Sequence, residues 1–323
     1  MGYFCENLNN NLTCSPEGIR ACCAGNTDTP LYFDTQQMNK KFDLSNLLEK
    51  KKSFLNNIET SACKDCFYLR PLQDSDVFTA KYKNLDISHW IQCNCDCIYC
   101  TRMDFFKNEK TFRAKRSSYY DMLPLLKNLY KYDLIDRENL TVLFHGGDIA
   151  VLKEFPPLIK ELYKNGFQSA FILTNNILYQ PLIEKLLKDN KGGMTTSLDS
   201  GSKETYFKIK RVDKFDSCIS NLKKYVSKSE NPKIKVKYII VDNINDNIEE
   251  IEKFLKLMSS IGIYYVEFMI DNRYIYQPEI KQGSLPEHYL HLLHFFKEKC
   301  QELNLDFFIE NITQDAINKS FAI

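Results

Sequence analysis

Beyond residue 84 the chain alternates short β-rich runs with amphipathic stretches. The runs Leu85–Ser88, Leu140–His145, Ser169–Thr174, Thr195–Asp199, Ile234–Val241 and Tyr264–Ile270 read as strands. Between them, Leu158, Ile159 and Leu162, then Leu182, Ile183, Leu186 and Leu187, then Ile248, Ile251, Leu255 and Met258 recur at three-and-four spacing, which places each set on one helical face. Gly166 and Gly262 stand where two of these helices should stop. Strands joined by helical crossovers pair in parallel through right-handed connections. The pattern therefore predicts an α/β fold of about six strands, with helices on one side and the sheet curled toward a barrel. Leu303–Glu310 is read as a final strand.

Residues 1–82 show no sustained period. They are Asn-rich at first and punctuated by cysteine, and Lys50-Lys51-Lys52 reads as a solvated helix face. With a boundary placed near Pro71–Asp76, the expected organisation is a cysteine-rich module over 1–82, an α/β body over 83–310 and a tail over 311–323.

Composition narrows the function classes. The 323 residues are 44% hydrophobic and 26% charged, with 22 Phe and 19 Tyr, which supplies a large core and argues against disorder. A net charge of +1 provides no global field for nucleic acid or acidic membranes, so neither is expected as a partner. The opening residues Met1 to Glu6 lack a secretion signal, and no apolar run reaches the ~18–20 residues that span a bilayer. A cytoplasmic location is expected.

Ten of the 12 cysteines fall in the first hundred residues. Cys218 and Cys300 lie beyond and read as small buried hydrophobes. In a reducing compartment such clustering points to metal or redox chemistry. Cys93-x3-Cys97-x2-Cys100 follows directly on the first strand, where loops leaving strand C-termini of a barrel build active sites. Three thiolates can hold three irons of a cubane cluster and leave the fourth open to an outside ligand. Cys95 brings the local count to four, so a zinc knuckle stands as the alternative.

The spacing, with Tyr99 before its last cysteine, resembles the radical S-adenosylmethionine (SAM) superfamily. Further segments follow in the family's order. Phe144-His145-Gly146-Gly147-Asp148 resembles the Gly-Gly-Glu motif that receives the SAM ammonium, with Asp148 in place of Glu. Asn175 lies in the Thr174-Asn175-Asn176 end of the third strand. Ser197-Leu198-Asp199 resembles the stretch whose polar side chains meet the ribose and carboxylate of SAM. Lys237 stands where relatives direct a cation toward that carboxylate, and Ile244-Asn245-Asp246 resembles a Gly-Ile-Asn-Asp segment with Asn243 for Gly.

The resemblance implies a partial (β/α)6 TIM-like barrel. It assigns Cys93, Cys97 and Cys100 to a SAM-binding 4Fe–4S cluster, and Tyr99, Gly146, Gly147, Asp148, Asn175, Ser197, Asp199 and Lys237 to SAM. It also implies reductive cleavage of SAM to methionine and a 5′-deoxyadenosyl radical that abstracts hydrogen from substrate. An electron donor such as flavodoxin or ferredoxin, and an anaerobic setting, would accompany that activity.

Cys5, Cys23, Cys63 and Cys66, with Gly18 between the first two, resemble a SPASM/twitch auxiliary module placed before the barrel instead of after it. The resemblance implies a second, auxiliary 4Fe–4S cluster. Zinc is the alternative occupant, and Cys22 is the alternative to Cys23. Cys14 and Cys95 are unassigned. Enzymes with such modules often modify peptides, so a peptide substrate is favoured, with a small molecule or sugar next. A non-catalytic iron–sulfur or zinc protein that senses redox state or scaffolds partners is the competing class. His145 is read as a neighbour of the SAM site and Trp90 as a packing residue. His288, His291 and His294 are assigned to packing and surface roles on a helix, no carboxylate being in register with them.

Overall fold

The computed structural model describes residues 3–20, 22, 31–38, 44, 47–56, 66, 68–100, 120–230, 232–275, 285–310 and 313–314. Two compact units divide the chain, 1–92 with 115–173 and 93–114 with 174–323.

In the first unit the strands are β1 (Tyr3–Phe4), β2 (Asn11–Ser15), β3 (Gly18–Arg20), β4 (Leu31–Asp34), β5 (Arg70–Pro71), β6 (Asn84–Ile87), β7 (Thr141–Phe144) and β8 (Ser169–Leu173). Strands β2, β6, β7 and β8 pair in parallel, while β3 and β4 add an antiparallel edge beside β2. Separately, β1 pairs antiparallel with β5, setting Phe4 opposite Arg70. Leu85, Ile87, Val142, Phe144, Ala170 and Ile172 alternate with polar or part-exposed neighbours, and all six are buried. Its longer helices are α1 (Leu47–Asn56), α2 (Met122–Lys131) and α3 (Phe155–Asn165). Asp121 caps α2 by accepting from Leu123 N, and α3 stops at Gly166 with φ 93°. Phe155 of α3 meets Phe144 of β7 edge-on at 5.5 Å, which seats the helix on the sheet.

Lys51 departs from the expected solvated face of α1. It is buried, and its ammonium donates to the carbonyls of Thr79 (2.9 Å) and Asn9, which replace the hydration it gives up. Lys52, one position on, is exposed. The run of charge is thus split by helical geometry, since successive residues point about 100° apart.

The second unit holds α4 (Pro181–Lys188), β9 (Gly192–Ser197), α5 (Lys203–Lys210), α6 (Phe215–Lys228), β10 (Ile234–Ile240), α7 (Ile248–Ile261), β11 (Tyr265–Ile270), α8 (Glu287–Glu302) and β12 (Asp306–Ile309). Its four described strands are all parallel, in chain order. One face of β10 and β11 packs on the helices through an aromatic cluster, with Tyr238 to Phe254 at 4.8 Å and Phe268 to Phe296 at 5.4 Å. The other face is polar, and there Ser197, Lys237 and Glu267 align laterally across β9, β10 and β11. Helix α7 starts under an Asn247 cap and ends at Gly262, φ 80°. Cys218 and Cys300 are buried as expected. Among the described residues, no helix is long and apolar enough to cross a membrane.

Candidate active site

The cysteine loop is fastened to the C-terminal end of α5. The last carbonyls of a helix have no partner within it, and here the N–H groups of Asp96 and Ile98 donate to Lys210 O (3.1 Å) and Ile209 O (3.0 Å). The guanidinium of Arg273 adds a bond to Ile98 O. Within the loop, the neighbouring thiols of Cys93 and Cys97, together with burial, push the Cys95 thiol upward. Cys93 Sγ also accepts from Cys95 N and from the amide of Asn175, each at 3.4 Å. Asn175 thus turns its side-chain donor to the first cysteine of the motif and to Asn94.

Below the loop lies a knot of buried polar groups. Tyr99 donates to Asp199 Oδ2 at 2.6 Å, and the Lys210 ammonium bonds both that carboxylate and the Tyr99 hydroxyl. The other carboxylate oxygen, Oδ1, accepts from Ile239 N at 2.9 Å. Asp199 has φ 62°, a left-handed conformation held in place by Asn245, whose amide donates to Asp199 O and Ile239 O at 2.8 Å each and whose Oδ1 accepts from Val241 N. Asp199 and Asn245 are 0% exposed and Lys210 2%. Burial alone would lower the Lys210 pKa, but Asp199 and the thiols of Cys97 and Cys95 outweigh it and hold the ammonium above the ordinary lysine range. The Cys97 thiol is shifted downward, first by its hydrogen bond with Cys95 and then by the Lys210 charge. Burial, reinforced by Asp199, keeps Tyr99 protonated.

The Gly146-Gly147-Asp148 segment belongs to the first unit and packs on the chain just ahead of the cysteines. Gly147 N donates to Trp90 O (3.2 Å) and Asp148 N to Gln92 O (2.7 Å). A β-carbon at 147 would stand 1.9 Å from Gln92 O, and Gly146 has φ 133°, so both positions require glycine. The close approach at Gly147 is to the protein's own main chain. Asp148 is buried and caps the short helical turn Ile149–Val151 by accepting from Ala150 N. His145 bonds Asp86 on β6, Trp90 is fully buried, and His89 lies beside it, paired with Glu154 at 2.9 Å.

On the polar face of the second unit, Lys237 pairs with Glu267 at 3.1 Å, and Lys235 with the same carboxylate at 3.0 Å. At the C-terminal ends of β10 and β11 lies a cavity of about 720 Å³ whose walls include Ile98, Val241 and Ile244 together with Arg211, Asp271 and Arg273. Nearby, Asp242, Asp246 and His288 bring ligand-type atoms within 4.8 Å of one another. These carboxylates come from a different segment than the helix of His288, so spacing within that helix carries no sign of them.

Cys23 and Cys63 lie outside the described residues. Cys5 immediately follows β1, and Cys66 precedes β5, its carbonyl accepting from Leu69 N at 2.9 Å. Pairing of β1 with β5 therefore brings the segments carrying these two cysteines together. Cys22 is part-exposed. Cys14 is fully buried between β3 and β6, and burial pushes its thiol well up, which makes it inert.

Sequence reasoning missed Lys210, His89 and the Asn175–Cys93 contact. Lys210 ends a helix of low amphipathicity and looks like one more surface lysine. Only its place eleven residues beyond Asp199 hinted at a role.

Parallel βα units with a thiol-rich loop tied to the end of α5 define an α/β architecture. Residues 87–258, more than half of the chain, match the family model described as the Radical SAM superfamily. The chain belongs to the radical SAM superfamily, and its α/β fold is that family's TIM-like partial barrel. It is similar to the GTP 3′,8-cyclase of Clostridium botulinum (27% identical; 58% of this chain and 57% of the relative). A probable GTP 3′,8-cyclase of Saccharolobus islandicus is 26% identical over 58% of this chain and 56% of its own. The chain thus spans little more than half the length of these curated relatives. Among solved structures, SuiB of Streptococcus suis bound to precursor peptide SuiA aligns with TM-score 0.51 and 15% identity, over 82% of this chain and 63% of that one. The family brings a 4Fe–4S cluster and SAM as cofactors.

Proposed function

We propose that Cys93, Cys97 and Cys100 hold the SAM-anchoring 4Fe–4S cluster and that this chain uses it to start radical chemistry on a small-molecule substrate. The observation that carries this reading is the loop itself. Its backbone is tied to α5, and N–H donors from Cys95 and Asn175 point at Cys93 Sγ. Such a donor set fits an iron–sulfur cluster, whose sulfurs are stabilised by N–H hydrogen bonds. When bound, the cluster supplies one electron for reductive cleavage of SAM to methionine and a 5′-deoxyadenosyl radical.

The chain's own residues position and enclose. Gly146 and Gly147 let the main chain pack against Trp90 and Gln92, which fixes the residue covalently preceding Cys93. Ser197 and Lys237 offer a hydroxyl and a cation side by side on the polar face, suited to the SAM carboxylate and ribose. The apolar and hydrogen-bonding walls of the 720 Å³ cavity suit a flat heterocycle such as adenine. Asp199 serves as an internal anchor for Tyr99 and the loop, since both its carboxylate oxygens are taken by protein donors. Asp148 acts through its backbone and its cap. An external one-electron donor such as flavodoxin or ferredoxin completes the turnover.

The N-terminal cysteines Cys5, Cys23, Cys63 and Cys66 are proposed to hold an auxiliary 4Fe–4S cluster, supported by the β1–β5 pairing. For the substrate, the naming of the curated relatives as GTP 3′,8-cyclases supports a nucleotide-class small molecule ahead of the peptide that the N-terminal cysteines suggested. The peptide-bound neighbour, at 15% identity, speaks for fold alone.

The test is anaerobic reconstitution with iron and sulfide counts for the wild type and for Cys93→Ala/Cys97→Ala/Cys100→Ala. About four irons should remain in the triple variant, with 5′-deoxyadenosine production abolished. Loss of every iron in that variant would overturn the two-site assignment, and tetrathiolate zinc in the loop would overturn the radical reading.

A further inference from the structure

We propose that Lys210 and Asp199 form a buried charge pair whose balance holds the reduction potential of the loop's cluster in place, with Lys210 as its positioning residue. The inference rests on the assignment of Cys93, Cys97 and Cys100 as cluster ligands. Three observations on the second unit converge on it. Lys210 touches the loop twice, through its carbonyl to Asp96 N and through its ammonium to the Tyr99 hydroxyl, so loop and charge are fixed to each other. The ammonium is 2% exposed and bonded to Asp199 Oδ2, itself in a residue with no solvent access, so solvent cannot screen either charge. The Lys210 ammonium and the Asp199 carboxylate both bond the hydroxyl of Tyr99, which stands between Cys97 and Cys100 in the loop.

Reduction of a cluster adds one negative charge, and nearby fixed charges change its cost. A lone cation favours the reduced state and a lone anion opposes it. As a pair the two groups nearly cancel, so removing either one exposes the other. A merely structural pair would give damage of one sign whichever partner was lost. An electrostatic pair gives shifts of opposite sign, and this separates the two roles. Lys210→Met leaves Asp199 uncompensated, making the cluster harder to reduce. Asp199→Asn leaves Lys210 uncompensated, making it easier to reduce.

The experiment is an anaerobic redox titration of the full-length, iron-reconstituted protein, followed by EPR on the component that SAM perturbs, for wild type, Lys210→Met, Lys210→Arg and Asp199→Asn. At a fixed poise the reduced-to-oxidised ratio should fall roughly tenfold in Lys210→Met, about 59 mV for a one-electron couple, and rise in Asp199→Asn, with Lys210→Arg near wild type. Shifts of the same sign, or no shift in either variant, would overturn the proposal. If Lys210→Met loses its iron, Asp199→Asn decides alone: a more positive potential supports the pair and an unmoved one overturns it. A wild type with no SAM-perturbed signal would instead overturn the cluster assignment on which this rests.

Discussion

Gly147 lies so close to Gln92 that its α-carbon could not carry a methyl group: the added carbon would sit 1.9 Å from the Gln92 carbonyl oxygen and 2.7 Å from its nitrogen. Both obstacles are backbone, which cannot rotate away. Gly147→Ala is expected to cost about 1–3 kcal/mol of stability through overpacking, read from the urea midpoint, and to lower iron retention on reconstitution. Wild-type values for both would show that the Trp90–Gln92 segment is free to shift.

Asn245 bridges three backbone groups inside the second unit, at Asp199, Ile239 and Val241. Asn245→Ala leaves buried groups without partners, and about 2–4 kcal/mol should be lost in chemical denaturation. A loss under about 0.5 kcal/mol would mean that water replaces the amide.

Lys51 gives a pH dependence of known sign. Burial lowers its pKa from 10.5 to about 8. Below pH 8 both folded and unfolded chains carry the charge, and the cost of burying it is present in full. Between about 8 and 10.5 the unfolded chain holds more protons, so stability rises with pH. Measured against Lys51→Met at pH 7.5 and pH 10, the wild type should gain relative stability at the higher pH. An unchanged gap would remove Lys51 as the source.

Lys237 and Ser197 sit side by side in register on the polar face. If Lys237 faces the SAM carboxylate, Lys237→Met should raise the Kd for SAM roughly tenfold without changing the iron count, measured by equilibrium dialysis on anaerobic protein. Unchanged affinity would assign Lys237 to its pair with Glu267 alone.

The βα body was legible in the sequence because each strand and helix there repeats its period long enough to register. All six expected strands of the body appear, with ends shifted by at most three residues. Gly166 and Gly262 cap helices as read. Residues 1–82 hid their structure because strands such as Gly18–Arg20 are shorter than two alternations. At the site, the cysteine spacing and the order of the motifs carried the family, since those signals are local. What did not show was anything formed by distant contacts. Lys210 reaches Tyr99 across 111 positions, and Asn175 reaches Cys93 across 82. Lys210 looks like an ordinary surface residue, and Asn175, read as a SAM contact, gives no sign of Cys93 until the chain folds back.

The parallel pairing of β2 with β6 carries a consequence for how this enzyme can be taken apart. The leading segment is the flank of the very sheet whose strand β6 runs toward the cysteine loop, so it cannot be trimmed like a removable accessory. Deleting residues 1–20 would bare the hydrogen-bonding edge of β6 and uncover Leu85 and Ile87. The shortened protein should then self-associate. Any division of labour between the two ends of this polypeptide has to be probed by single substitutions, because cutting with scissors would remove a wall.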